Sequence, residues 1–424
     1  MKRSGKTPLR IAVAIAAVAA TAIALAGCSG SSDEAASDKP LQFFLSGDAN
    51  QGGGYAHMAE KYEKETGVKV QIVDIANDDL PTKLSNAAQA NDLPALARVG
   101  AVDPVWRNAT TDLTDITKGS KIRTDLADKD GDKVISLPSD ITAVGLFINK
   151  TLFDQAGVAY PTSEDDIWTW DEYVAAVEQV QQKTGTTYGM VMDKSSHRLK
   201  ALMYEFGSDY FQPDKNGTFS TNDDTKRSLE FFNGLNDDKF MPRSVWLSDA
   251  DPNALFKSGD VVSYVSGSWQ IADFAVNIKN FEWASVYMPQ EKERATNFGN
   301  AASIVVFDGP QQKAAHDFVK WLYEPENYTE LSETSSFIPA VDGLDITYAA
   351  HADAFDVYNR DIAASPAIVG DIKAMELQYG AQGVSTEGDP VRDETVKYLN
   401  GEQDVDKTIS NINEQFTDQL GALK

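Results

Sequence analysis

The chain has 424 residues, with 64 Asp and Glu against 38 Lys and Arg, a formal net charge of −26 and a single cysteine. A hydrophobic fraction of 42% with 10% aromatics is that of a packed globular protein and excludes intrinsic disorder. The charge excludes nucleic acid and anionic lipid surfaces as partners, and it favours neutral or cationic ligands over anionic ones. One cysteine cannot close an intramolecular disulfide, so stability rests on the core. A chain of this length exceeds a single core, which makes two domains the default.

At the front, Lys2, Arg3, Lys6 and Arg10 precede an apolar run over 11–25 that ends in Leu25-Ala26-Gly27-Cys28. A basic start, an apolar stretch and small residues at its end form a secretory signal. The stretch is shorter than the roughly 20 residues a spanning helix needs. Its last four residues resemble a bacterial lipobox. That resemblance implies that 1–27 are removed as a lipoprotein signal peptide and that Cys28 is lipidated. Losing the four basic residues takes the formal charge from −26 to −30. Residues 28–39 are small, polar and acidic, a flexible tether. No later apolar run approaches spanning length, so the lipid is the expected membrane contact.

The run 41–45 predicts a buried strand, followed by a Gly-rich loop over 46–54. A helix is predicted over 56–66, with Gly67 as its stop, then a strand over 68–73, a helix over 80–91 and a short strand over 96–99. Strand-helix-strand alternation points to a parallel sheet. Lys129-Asp130-Gly131-Asp132 is a hairpin turn leading to a strand over 133–137. A calcium loop fails there, because with Gly131 at the required glycine both end positions are leucines, Leu126 and Leu137. A strand over 144–150 runs into a turn, and a helix over 170–184 follows Thr169. The stretch to 240 alternates helices and turns. Then come a helix over 251–258, a strand over 261–265 ending at Gly267-Ser268-Trp269, a strand over 302–307, a helix over 313–323, and a mostly helical region from 351.

Signatures of catalysis are missing. The four histidines, His57, His197, His316 and His351, lack HExxH spacing and there is no CxxC, so no metal and no cofactor is expected. There is no G-x-S-x-G elbow, and Gly52-Gly53-Gly54 is followed by His57 where a dinucleotide fingerprint needs Gly. Carboxylate pairs for glycoside chemistry stay open, with nothing to single one out.

Five segments in order, "AEKYEKETGVKV" at 59–70, "ISLPSDITAVGLFINKTLFDQAGV" at 135–158 with "WTWDEYVAAV", "FKSGDVVSYVSGSWQIADF" at 256–274, "NFGNAASIVVFDGPQQKAAHDFVKWLYEPEN" at 297–327 and "VKYLNGEQDVDKTISNI" at 396–412, resemble extracellular solute-binding proteins of carbohydrate-uptake ABC transporters, the group that includes maltose-binding protein. The resemblance spans nearly the whole chain after Cys28. It implies an α/β, two-lobed periplasmic-binding-protein-like fold, with parallel-rich central sheets in each lobe, a hinge, and a ligand cleft between the lobes. Carried onto this sequence, lobe 1 is 40–145 plus 299–345 and lobe 2 is 148–295 plus 346–424. It further implies a lipid-anchored monomer on the outer face of the cytoplasmic membrane, with no catalysis. Its partners are an oligosaccharide and the membrane permease subunits of an ABC importer. The alternatives are a receptor for another solute, such as a polyamine or a glycerol-phosphate ester (the latter disfavoured by the acidity), or a surface glycoside-acting enzyme.

A sugar needs aromatic planes for its C–H faces and fixed polar groups for its hydroxyl rim. The resemblance assigns Trp269, at a strand end, to stacking; the other tryptophans read as structural, with Trp321 in the core. Asp48 and Asn50 follow the first strand, where open α/β sheets place ligands, and both hydroxyl contacts and turn formation stand as readings. Asp103 is equally open. Asp140 and Thr142 fall where the family often has a contact. Phe298, Gly299 and Asn300 mark a chain crossing, with Gly299 allowing close backbone approach. His197 and Arg198 match a cleft loop of relatives, with solvated surface as the other reading. Glu387, Asp389 and Arg392 occupy a stretch where relatives carry an aromatic contact that this chain lacks, which argues for a short or differently linked oligosaccharide.

Overall fold

In the computed structural model, which describes residues 39–46, 53–76, 79–248 and 250–421, the first apolar run forms β1 (Leu41–Ser46). Its neighbours in the chain are β2 (Val70–Ile75) and β3 (Leu96–Val99), both parallel to it. The sequence alternation shows in the packing. Phe43 faces one apolar cluster with Tyr55, Phe318 and Tyr328, whereas Phe44 faces another with Leu84, Trp106 and Val305. Successive side chains point to opposite faces, so this sheet is covered on both.

A small hairpin, β4 (Lys129–Asp130) and β5 (Lys133–Val134), leads into β6 (Leu137–Asn149). Farther along lie β7 (Tyr188–Met192), a second hairpin of β8 (Gln212–Pro213) and β9 (Phe219–Ser220), then β10 (Val261–Gly267), β11 (Trp283–Val286) and β12 (Phe298–Val306). The main sheet runs β2-β1-β3-β12-β6-β10-β7, with β11 also on β6. The parallel pairs lie outermost, and β7 with β10 is the second such region. The ladders of β6 and β12 with their neighbours are antiparallel, so the sheet as a whole is mixed rather than parallel-rich. The fold is two-lobed. β6 serves both lobes: residues 137–143 pair with β12, and from Val144 onward the partner is β10. A second large core, with Phe147, Tyr173, Trp246, Phe256 and Phe274, lies against that later half.

Several boundaries depart from the sequence reading. The strand expected over 144–150 begins at Leu137, because Pro138, which lacks an N–H, sits where the β12 register slips near Ala302 and Ser303. Lys150 opens a helix, Lys150–Ala156, capped by the Asn149 side chain and stopped by Gly157 in the left-handed region. β7 was expected as helix and turn. Trp321 is only half-buried, and its indole N–H donates to Glu65 (2.9 Å). The helix Trp170–Thr184 starts with a full capping box of Thr169 and Glu172. Among the described residues, no helix is long and apolar enough to cross a membrane. The signal segment, Cys28, and the loop with Asp48 and Asn50 lie outside the described residues.

Candidate functional site

Where the two halves of β6 meet, a cavity of about 370 Å³ opens, within the range of about 300–1,000 Å³ usual for small-molecule sites. β6 contributes Asp140 and Thr142, and the start of β12 contributes Phe298, Gly299 and Asn300. β10 ends at Gly267, and Ser268 and Trp269 follow it into the cavity. The Ser268 amide donates to the Ala143 carbonyl (3.0 Å), which fixes this corner to β6. The Trp269 indole is half-exposed. Its Cζ3 and Cη2 edge lies so close to Gly267 that a Cβ there would meet it at 2.1 Å. The Arg198 guanidinium sits over the ring, 4.5 Å from its centre. The helix Ser196–Glu205 brings His197, Arg198 and Lys200, and the helix Ala367–Ala381 brings Lys373 and Glu376.

The cavity carries four cations. Arg98, buried in β3, pairs with buried Asp140 (2.7 Å) and donates to Ser139 (2.9 Å). Arg198 pairs with Asp193 (2.7 Å), which also accepts from Tyr264 (2.6 Å) and Ser266 (3.1 Å). Lys200 pairs with Glu376. Burial works to raise the Glu376 carboxyl, but Lys200 and Lys373 outweigh it and hold it below its usual range. The Asn297 amide contacts His197 Nδ1 (2.7 Å) and donates to the His197 carbonyl (2.9 Å), so Nδ1 acts as acceptor and the ring is neutral. Burial, then the charges of Arg198, Lys200 and Lys373, hold that imidazole well below its usual range. Among the described residues, no cluster of three or more His, Cys, Asp or Glu is arranged to hold a metal.

Residues 57–355 match the family of bacterial extracellular solute-binding proteins. The chain belongs to that family. An arabinooligosaccharide-binding protein of Halalkalibacterium halodurans is 25% identical over 226 residues, 51% of this chain and 49% of that one. The chain spans about half the length of the curated relatives it matches. The solved GacH receptor of Streptomyces glaucescens, described with acarbose, superposes with a TM-score of 0.71 at 20% identity over 91% of this chain and all of the other. An ABC substrate-binding protein of Listeria monocytogenes, in complex with cycloalternan, gives 0.70 at 20% identity over 90% and 99%. These likenesses establish the fold.

Within this extracellular solute-binding chain, the structure brings eight of the sequence candidates to one cavity. Trp269, Phe298, Gly299 and Asn300 line it, as do Asp140, Thr142, His197 and Arg198. Four others are elsewhere. Asp103 caps a short helix by accepting from the Val105 amide (2.7 Å) and borders a separate apolar pocket. Asp389 caps the helix Pro390–Leu399 and accepts from Ser196 (2.6 Å). Arg392 pairs with Asp393 (2.7 Å), and the Glu387 amide bonds Gln419 (2.5 Å). Sequence reasoning missed Arg98, Lys200, Lys373 and Glu376. Arg98 had a signal, a lone charge inside the apolar run 96–99. Lys373 and Glu376 had none, since a Lys and a Glu three apart on a helix usually face solvent.

Proposed function

We propose that the protein captures a short oligosaccharide outside the cytoplasm and hands it to the permease subunits of an ABC importer, without transforming it. The half-exposed Trp269 indole, set in a ring of polar side chains from both halves of the sheet, carries this reading. An aromatic surface suits the C–H face of a pyranose, and Asn300, Thr142 and Ser268 suit its hydroxyls. The names of relatives agree: one is an arabinooligosaccharide-binding protein, and two structural neighbours were solved with acarbose and cycloalternan. The four cations in the cavity argue against a polyamine, the alternative that the overall acidity had kept open.

In this reading the lobes are 40–145 plus 299–345 and 148–295 plus 346–424, and they close on the ligand about the partner change in β6. A thermal-shift panel of mono- to tetrasaccharides tests it. A ligand at 100 times its dissociation constant adds about 2.7 kcal/mol, and Trp269→Ala should weaken binding by about tenfold or more. No shift with any saccharide, or product appearing in the incubation, would refute the reading. Lipid anchoring rests on Leu25-Ala26-Gly27-Cys28. Cys28→Ser should move the protein from the membrane fraction to the medium, and retention at the membrane would contradict it.

A further inference from the structure

Three of the four cations in the cavity have a carboxylate partner: Arg98 has Asp140, Arg198 has Asp193 and Lys200 has Glu376. Lys373 has none, and among the described residues it makes no hydrogen bond or ion pair. Its side chain lies across Gly299, where a Cβ would come within 3.1 Å of its Cε. The carboxylates in its field are already engaged, Glu376 by Lys200 and Asp128 by the Ser136 hydroxyl (2.8 Å). Two further polar atoms of the same cavity are buried without partners, the Arg198 Nε donor and the Asn300 Oδ1 acceptor. A protein rarely leaves a desolvated cation and a buried donor unmatched unless a ligand matches them.

Resting on the saccharide reading above, we propose that the ligand is an acidic saccharide whose carboxylate or phosphate ester is met by the Lys373 ammonium, with Asn300 Oδ1 receiving a neighbouring hydroxyl. The lining holds four cations against the two carboxylates Asp140 and Glu376, the reverse of the charge balance of the whole chain. Burial lowers the Lys373 ammonium below its usual range, with Glu376 opposing and Lys200 reinforcing, as expected of a charge waiting for a counter-charge.

Isothermal titration tests this with matched probes: uronate-containing di- and trisaccharides, their carboxyl-reduced neutral twins, and hexose 6-phosphates against the free hexoses. An anionic probe should bind the wild type about 10–100-fold more tightly than its neutral twin, the difference a charge-assisted hydrogen bond supplies. The uronate and phosphate arms tell which anion is meant. In Lys373→Met the preference should fall about tenfold or more, whereas Lys373→Arg should keep most of it, and melting curves report whether each variant folds. Neutral twins binding as well as the anions, or an unchanged preference in folded Lys373→Met, would overturn the inference and leave the saccharide reading standing. Binding of no saccharide, charged or neutral, would overturn both.

Discussion

Glu205 is fully buried, its Oε2 accepting from the Trp170 indole (2.7 Å) and its Oε1 without a partner. Burial pushes its carboxyl well above the usual range; the Trp170 hydrogen bond opposes this and the Asp361 charge adds to it. The folded state therefore keeps the proton where the unfolded chain, with an ordinary value of 4.5, has lost it. Folding then takes up a proton, and this group's contribution to stability is full below 4.5 and falls as pH rises toward its folded value. Glu205→Gln keeps an acceptor for Trp170 and removes the titration. Melts of the two proteins should diverge in favour of the variant from pH 5 to pH 8, by at most about 1.4 kcal/mol per pH unit. Parallel melts would show that Glu205 is ionised in the folded protein. The difference between the two is the quantity to read, because His197 acts the other way. Its imidazole stays neutral in the fold while the unfolded chain protonates below about 6.5, so its share of stability is lost on acidification.

At the level of elements, local signals were readable where the chain carries its own punctuation. Gly67 and Gly157 end helices in the left-handed region, and Thr169 with Glu172 starts one, so those limits follow from neighbouring residues alone. The helix Lys150–Ala156 had the same punctuation, Asn149 and Gly157, but the apolar run before it drew the strand reading one residue too far. β7 was not legible because Tyr188–Met192 is short, contains Gly189 and is buried at four of its five positions; only its pairing with β10 makes it a strand. The cavity divides in the same way. Trp269, Phe298, Gly299 and Asn300 stand at strand ends, which a sequence marks. Lys200, Lys373 and Glu376 stand on helices, and only the crossing of Ser196–Glu205 with Ala367–Ala381 turns them inward. Asp389 misled for a related reason. An Asp before Pro390 reads equally as a ligand contact or a helix cap, and packing against Ser196 made it the cap.

The whole molecule sets a long-range field against a local one. A formal charge of −26 repels an anion, while the cavity, with four cations against two carboxylates, attracts it at contact. Composition reports only the first field, which is why the acidity pointed toward neutral or cationic ligands. The two fields differ in range. Exposed charges act over a Debye length of about 30 Å at 0.01 M salt and about 10 Å at 0.1 M, whereas contacts inside a part-buried cavity are screened little. If an acidic saccharide is the ligand, salt should relieve the repulsion met on approach without much weakening the grip after arrival. Stopped-flow titration with a uronate disaccharide should then give an association rate that rises on the order of a few-fold between 10 and 150 mM salt, with a nearly constant dissociation rate. The carboxyl-reduced twin should show neither dependence. An association rate for the uronate that falls with salt would mean that the cations of the cavity project their field beyond the acidic surface, and the separation of the two ranges would be wrong.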